Sequence, residues 1–310
     1  MSAESQPRRV VAAVVTFNRL ELLRTLVASL RATPDLAAIV VVDNASTDGT
    51  GEWLRVEADR GDGVPLVPVR LPENRGGAGG FHEGVRRALA EGADLVWLMD
   101  DDGLPEPGCL ATLLAEADLD FWGPLVVDRE APEELVFPIR LPGGTRTVHR
   151  LADARAAARA GRIDDIVIPF NGVLVTRALV ERIGLPRSEF FIWGDDHEYR
   201  LRAEAAGARI ATVTDALVRH PSVGELGTPM MFGRTTYNHS PSDLKHYCMA
   251  RNNVVNLREH RGWLFVLFFV VKTIWFYTFT RPSVRRLRLS AEGILAGVRG
   301  DFTGHGRFLR

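Results

Sequence analysis

Residues 94–103 read DLVWLMDDDG, an apolar run closed by three consecutive acids, Asp100, Asp101 and Asp102, and a glycine. Continuous apolar residues bounded by turn signals describe a strand buried on both faces, the habit of parallel sheets covered by helices. Three adjacent carboxylates repel one another and need an offset. Hard divalent cations, Mg2+ or Mn2+, prefer such oxygen ligands and commonly bridge them to substrate phosphates. In an extended chain Asp100 and Asp102 share a side, while Asp101 points elsewhere. An acidic turn that merely caps the next segment is the competing explanation.

Upstream, Val10–Thr16 (VVAAVVT) is a second apolar strand, followed by leucines and a valine at helical spacing over 19–30 and by AIVVV at 38–42. Leu66–Arg70 predicts a third strand, 79–90 a helix and 94–99 a fourth strand. Right-handed crossovers stack such units into one sheet. Ligands then bind beyond the carboxyl ends of the strands. Here those ends carry 16–19, 43–48, 74–80 and 100–103, all polar or glycine-rich. NRGGAGGF at 74–81 fails the GxGxxG dinucleotide fingerprint, because His82 stands at the third glycine. Its small residues predict instead a close approach of the helix to a ligand.

Downstream, 138–144 reads as a loop, 151–162 as an alanine-rich helix, 167–176 as extended chain, 195–206 as a helix ended by Gly207, and 210–213 as a strand leading toward His220. Asp195, Asp196, His197 and Glu198 follow the aromatic stretch FFIW at 190–193. Helix capping accounts for one of these acids but not the cluster. A carboxylate in a partly dry, aromatic-walled site can serve as a general base. The economical division is one α/β domain over 1–240 and a helical region over 241–310.

The chain has 310 residues, 46% of them hydrophobic, and a formal charge of −1, so it can build a core but offers no global field for nucleic acid. Cys109 and Cys248 are isolated thiols, which argues against a zinc site or a disulfide framework and fits a reducing cytoplasm. The polar start leaves no room for a signal peptide. WLFVLFFVVKTIWFYTF at 263–279 is short for a membrane span. Between 281 and 310 it is followed by seven arginines and two acids. Aromatic residues followed by basic ones suit a peripheral anchor on anionic lipid; a buried helix or a contact between copies is the equal alternative.

VVDNAST at 41–47, ENRGGAGGF at 73–81, WLMDDDG at 97–103, FFIWGDDHEYRLRAEAAG at 190–207, VRHPS at 218–222 and YCMARNNV at 247–254 together resemble the inverting family 2 glycosyltransferases of the GT-A fold, and among them the actinobacterial galactofuranosyltransferases. The resemblance covers about residues 10–260. It implies a Rossmann-like, mostly parallel sheet flanked by helices, with a C-terminal helical region. It further implies that Phe17, Arg19, Asp43 and Asn74 line the site of a UDP-sugar donor, with Asp101 grouped beside them. Asp100, Asp102 and His220 would hold the divalent metal, and Asp196 would be the catalytic base. The implied acceptor is a polyprenyl-diphosphate-linked saccharide at the inner face of the membrane. The chain is shorter than the processive polymerases of the family, which points to addition of one or two sugars. Transfer from dTDP-rhamnose and a non-catalytic sugar-nucleotide-binding scaffold are the competing readings. Oligomeric state is left open, with a homo-oligomer allowed.

Overall fold

The computed structural model describes residues 8–61, 63–116, 118–144, 146–168, 170–224 and 227–309. Residues 1–7 of the polar start and Arg310 of the basic tail lie outside them. The chain forms two compact units. The first takes the chain to Pro186 together with Arg202–Ser222, and the second takes Arg187–Leu201 and Val223–Arg310, a division different from a cut at 240.

The first unit opens β1 (Val10–Thr16), α1 (Leu20–Arg31), β2 (Leu36–Asp43), α2 (Thr50–Ala58), β3 (Leu66–Arg70), α3 (Gly76–Ala90) and β4 (Leu95–Asp100). It continues with β5 (Leu104–Pro105), α4 (Cys109–Leu114), β6 (Phe121–Asp128), β7 (Glu134–Arg140), β8 (Thr147–Arg150), α5 (Leu151–Ala157), β9 (Arg162–Asp164), β10 (Asn171–Thr176) and α6 (Arg177–Ile183). α7 (Asp195–Ala205), whose residues up to Leu201 belong to the second unit, leads to β11 (Ile210–His220). The main sheet runs β3-β2-β1-β4-β10-β6-β11-β5. Its first four strands are parallel, β10 is antiparallel to both β4 and β6, and β11 is parallel to β6. Every residue of β1 is buried, as a strand covered on both faces requires.

Four elements depart from the sequence expectations. α3 begins at Gly76 rather than 79, because the Asn74 carboxamide oxygen accepts from Gly76 N (2.8 Å) and that of Asn44 from Arg75 N (2.9 Å). The segment 138–144 is strand as far as Arg140, where Ile139 and Arg140 pair with Val148 and Thr147. The helix expected over 151–162 stops at Ala157. Ala160 (φ 48°) and Gly161 (φ 79°) turn the chain left-handed, so that 162–164 can pair with β11. The strand expected at 210–213 continues to His220 across an irregularity between Val213 and Leu217.

Gly80 shows why 76–84 is so rich in small residues. A Cβ there would lie 2.4 Å from Val15 Cγ1, so the smallness at this position seats α3 on β1. Gly77 is different, since a Cβ there meets nothing within 4 Å.

The second unit holds a short hairpin of β12 (Thr228–Met230) and β13 (Thr235–Tyr237), then α8 (Asp243–His260), α9 (Trp263–Trp275), a π-helical turn Phe276–Thr280 and α10 (Val284–Arg299). α10 lies close on α8: a Cβ on Gly297 would come within 2.5 Å of Arg251 O. α9 buries little of itself; Trp263–Thr280 has a mean hydropathy of 1.6 and is 22% buried.

Candidate active site

The carboxyl edge of the sheet brings the strand ends into one row. Thr16 pairs with Asp43, Asp43 with Arg70, and Val15 with Asp100. Asp43 is buried; its carboxylate accepts from Arg70 Nη1 (3.0 Å) and Ser46 N (2.8 Å). The loops after β1 and β2 are stitched together, with Ser46 Oγ accepting from Asn18 N (2.9 Å) and Asn18 Oδ1 from Thr47 N (2.7 Å). Asp48 accepts from Leu20 N (3.0 Å) and so caps α1 from a separate loop, which explains why the helix starts at Leu20. Phe17 remains 41% exposed on this edge.

The acidic triplet does not keep the alternation of an extended chain, because β4 ends at Asp100 and the backbone turns through the next two residues. Asp101 is only 4% exposed and accepts from Thr16 Oγ1 (2.7 Å) and Arg19 Nη1 (3.1 Å). The same Arg19 nitrogen donates to Asp102 Oδ2 (2.7 Å). Burial raises the Asp101 pKa, and its bonds to Thr16 and Arg19 only partly oppose this. For Asp102 burial acts in the same direction but is outweighed by His220 and Arg19, so its pKa falls below the ordinary carboxylate value.

His220 reaches this site through the sheet. Just past Gly103 the chain enters β5, which pairs antiparallel with the end of β11: Leu104 with Arg219 and Pro105 with Val218. His220 Nε2 lies 3.0 Å from Asp102 Oδ1, and its Nδ1 is 2.6 Å from Pro221 O. A carbonyl can only accept, so Nδ1 carries a proton. Nε2 is then either protonated, as an imidazolium beside Asp102, or a bare lone pair facing a carboxylate. The second state requires a cation between the two atoms. Asp102 Oδ1 makes no hydrogen bond of acceptable geometry, which fits an atom aimed at such a cation. Asp100 adds its negative charge to the field on His220. No group of three or more His, Cys, Asp or Glu side chains stands in ligating geometry among the described residues. A Mg2+-type cation needs few protein ligands when substrate phosphates and water complete its shell, so the Asp102 and His220 pair fits the group.

The second acidic group is built otherwise. Phe191 (φ 65°), Trp193 (φ 72°) and Gly194 (φ 84°) all have left-handed backbones just before α7. A loop this strained has to be held from outside. Asn252, fully buried on α8, directs its Nδ2 at the carbonyls of Phe190 (3.0 Å), Ile192 (3.1 Å) and Trp193 (2.7 Å). Arg251 Nη2 donates to Phe190 O (2.7 Å) and Asn256 Nδ2 to Gly194 O (2.9 Å). Asp195 and Asp196 begin the helix beyond this clamp. Burial pushes both carboxyls up, and the charge of Asp196 helps carry Asp195 to about 8. Arg200, on the same helix, opposes the rise at Asp196 through its charge, and Lys245, whose Nζ stands 4.9 Å over the Trp193 ring, lies in the field of Asp196.

The acids are legible in the sequence, whereas the roles of Thr16, Arg70, Asp48 and the Asn252 clamp are not. Thr16 and Arg70 are strand-end residues, a usable signal. For the clamp, the only signal was the Tyr247, Arg251, Asn252 pattern noted in the resemblance.

A mostly parallel sheet with its polar chemistry at the carboxyl edge, an acidic strand end beside a histidine, and a second acidic helix start define a glycosyltransferase of the GT-A fold. Residues 12–134 match the Glycosyl transferase family 2 model. The chain is 32% identical over 302 residues to the galactofuranosyltransferase GlfT1 of Mycobacterium tuberculosis, covering 92% of this chain and 98% of that one. It is 33% identical over 251 residues to GlfT1 of Mycolicibacterium smegmatis, covering 78% and 81%. In fold it is similar to the crystal structure of GalNAc-T7 with UDP, GalNAc and Mn2+, at a TM-score of 0.61 and 13% identity, over 97% of this chain and 58% of that one. The chain belongs to glycosyltransferase family 2.

Proposed function

We propose that this glycosyltransferase moves galactofuranose from UDP-galactofuranose to a polyprenyl-diphosphate-linked saccharide, with inversion, at the inner face of the membrane. The observation that carries the chemistry is the opposition of His220 Nε2 and Asp102 Oδ1 at 3.0 Å, with Nδ1 already committed to Pro221 O. The choice of sugar rests on the near full-length similarity to galactofuranosyltransferases.

Asp102 and His220, with Asp100 beside them, would hold Mn2+ or Mg2+, which when bound neutralises the diphosphate leaving group. Phe17 offers its exposed ring for the base of the nucleotide, with Arg19, Asp43, Asn74 and Asp101 framing the pocket. Arg19 holds Asp101 and Asp102 in place with two bonds from one nitrogen. Asp196 takes the proton of the acceptor hydroxyl as that oxygen attacks the anomeric carbon opposite the diphosphate. The bond to UDP breaks, its electron pair leaves on the phosphate oxygen, and the configuration inverts. Burial that raises the pKa of Asp196 makes it a stronger base.

The exposed apolar side chains of α9 and the arginines after it support peripheral membrane association. The decisive experiment offers the purified chain UDP-galactofuranose and dTDP-rhamnose in turn, with a polyprenyl-diphosphate-linked acceptor, with and without EDTA. Metal-dependent transfer from UDP-galactofuranose is expected. Transfer from dTDP-rhamnose alone sinks the donor assignment, and full activity in EDTA removes the metal.

A further inference from the structure

Two clefts of the second unit share one stretch of chain. The first, about 450 Å3, is apolar and is lined by Met231, Phe232, Trp275 and Phe279. The second, about 360 Å3, is basic and is lined by His239, Tyr277, Arg281, Ser283 and Arg286. Thr280 lines the one and Arg281 the other, so the clefts meet across a single peptide bond. Volumes of this size each admit a fragment-sized group.

The charge in the basic cleft is not cancelled locally. Arg286 pairs with Asp243 (3.0 Å), an acid it shares with Arg285. Arg281 engages no acid among the described residues. The cleft also faces the first turn of α10, whose Ser283 cap leaves the positive end of a 16-residue helix there. His239 answers to this field, since burial first and then Arg281 and Arg286 hold its pKa below the ordinary value. On the apolar side, Met231 (φ 50°), Phe232 (φ 60°) and Gly233 (φ 79°) form a left-handed run that holds the Phe232 ring 96% exposed. Strain spent on displaying an aromatic ring to water is explained by a nonpolar occupant.

We propose that the paired clefts bind the carrier of the acceptor, a polyprenyl phosphate or diphosphate, with the phosphate on Arg281 and Arg286 and the first isoprene units along Phe232, Trp275 and Phe279. This rests on the lipid-linked acceptor proposed above and names where its lipid end sits. The first turn of α8 touches both this cleft and the surroundings of the base. Asp243, bound to Arg286, and Lys245, over Trp193 and under the charge of Asp196, are two residues apart on it. A phosphate held on Arg286 therefore sits against the same turn of α8 that carries Lys245 into the field of Asp196.

The test measures binding of undecaprenyl phosphate in nonionic micelles to the full chain, beside inorganic pyrophosphate and phosphatidylglycerol vesicles, for the parent, Arg281→Ala and Phe279→Ser. UDP affinity reports the integrity of the fold and is expected to stay unchanged. Arg281→Ala should weaken undecaprenyl phosphate and pyrophosphate by about tenfold, and Phe279→Ser should weaken the lipid alone. Equal affinity of the parent and Arg281→Ala for undecaprenyl phosphate overturns the site. A loss of phosphatidylglycerol vesicle binding in Arg281→Ala as large as its loss of undecaprenyl phosphate also overturns it, because the cleft would then be a general anionic-lipid surface. If galactofuranose transfer fails while Arg281→Ala still loses the lipid phosphate, the donor assignment falls and the cleft stands.

Discussion

Asp102 and Asp196 are both carboxylates drawn partly out of water, and their surroundings drive them in opposite directions. Around Asp102 burial is outweighed by His220 and Arg19, so the acid ionises more readily than in water. Around Asp195 and Asp196 burial prevails, and both carboxyls hold their protons to higher pH. The difference follows from where the compensating cations lie. Arg19 donates to Asp102 and His220 Nε2 stands 3.0 Å from it, whereas Arg200 acts on Asp196 only through its charge, and Lys245, over Trp193, has its own ammonium disfavoured by burial. A low pKa suits a group that must stay anionic to hold a metal, and a raised one suits a group that must accept a proton.

The contrast breaks most visibly at the base. Asp196→Asn should lower kcat by roughly 10²- to 10⁴-fold and leave UDP affinity intact, as read from steady-state rates and titration calorimetry. Near-normal turnover would remove the base assignment. Asp102→Ala should lower activity by more than about tenfold for a different reason, and should abolish the tightening of UDP binding by Mn2+. If Mn2+ still tightens UDP binding in that variant, the cation does not depend on Asp102.

Asn252→Ala tests whether the clamp serves the acids it precedes. Freed from Asn252, the loop should drift and kcat should fall by about tenfold to a hundredfold, with KM for the donor unchanged. The acid limb of the pH–rate profile should move as well, which a loss confined to stability would not produce. A fall in apparent kcat with an unmoved pH profile, repaired by low temperature, would make Asn252 a residue of folding alone.

The last effect is on stability. Burial and the charge of Asp196 push the folded Asp195 carboxyl up to about 8, against about 3.9 in the unfolded chain, so between these values the folded state binds the extra proton. Stability should therefore decline as pH rises from about 4 to about 8 and level off above. Asp195→Asn should flatten that slope in a thermal melt series; an unchanged slope would place the titration elsewhere.

The same two sites differ in how far they could be read from the chain. β1 and β3 were located to the residue and the four parallel strands were expected, because strands buried on both faces leave continuous apolar runs. Family 2 membership and the GT-A fold were likewise expected from local motifs and are borne out. The strand reading fell short at 138–144, where strand runs through Pro138, and at 210–220, where an irregularity interrupts the pattern. The role of the 247–256 segment was out of reach because its partners lie some sixty positions away.

Neighbouring residues alone specify the sheet, the family and the identity of the acids, since burial pattern and strand-end chemistry are local properties of the chain. The charge state of those acids is set by contacts that folding brings together. Pairing of β5 with β11 carries His220 to Asp102, and α8 carries Asn252 to the strained loop before Asp195 and Asp196. A pKa depends on desolvation and on charges within a few ångströms, and both are set by residues distant along the chain.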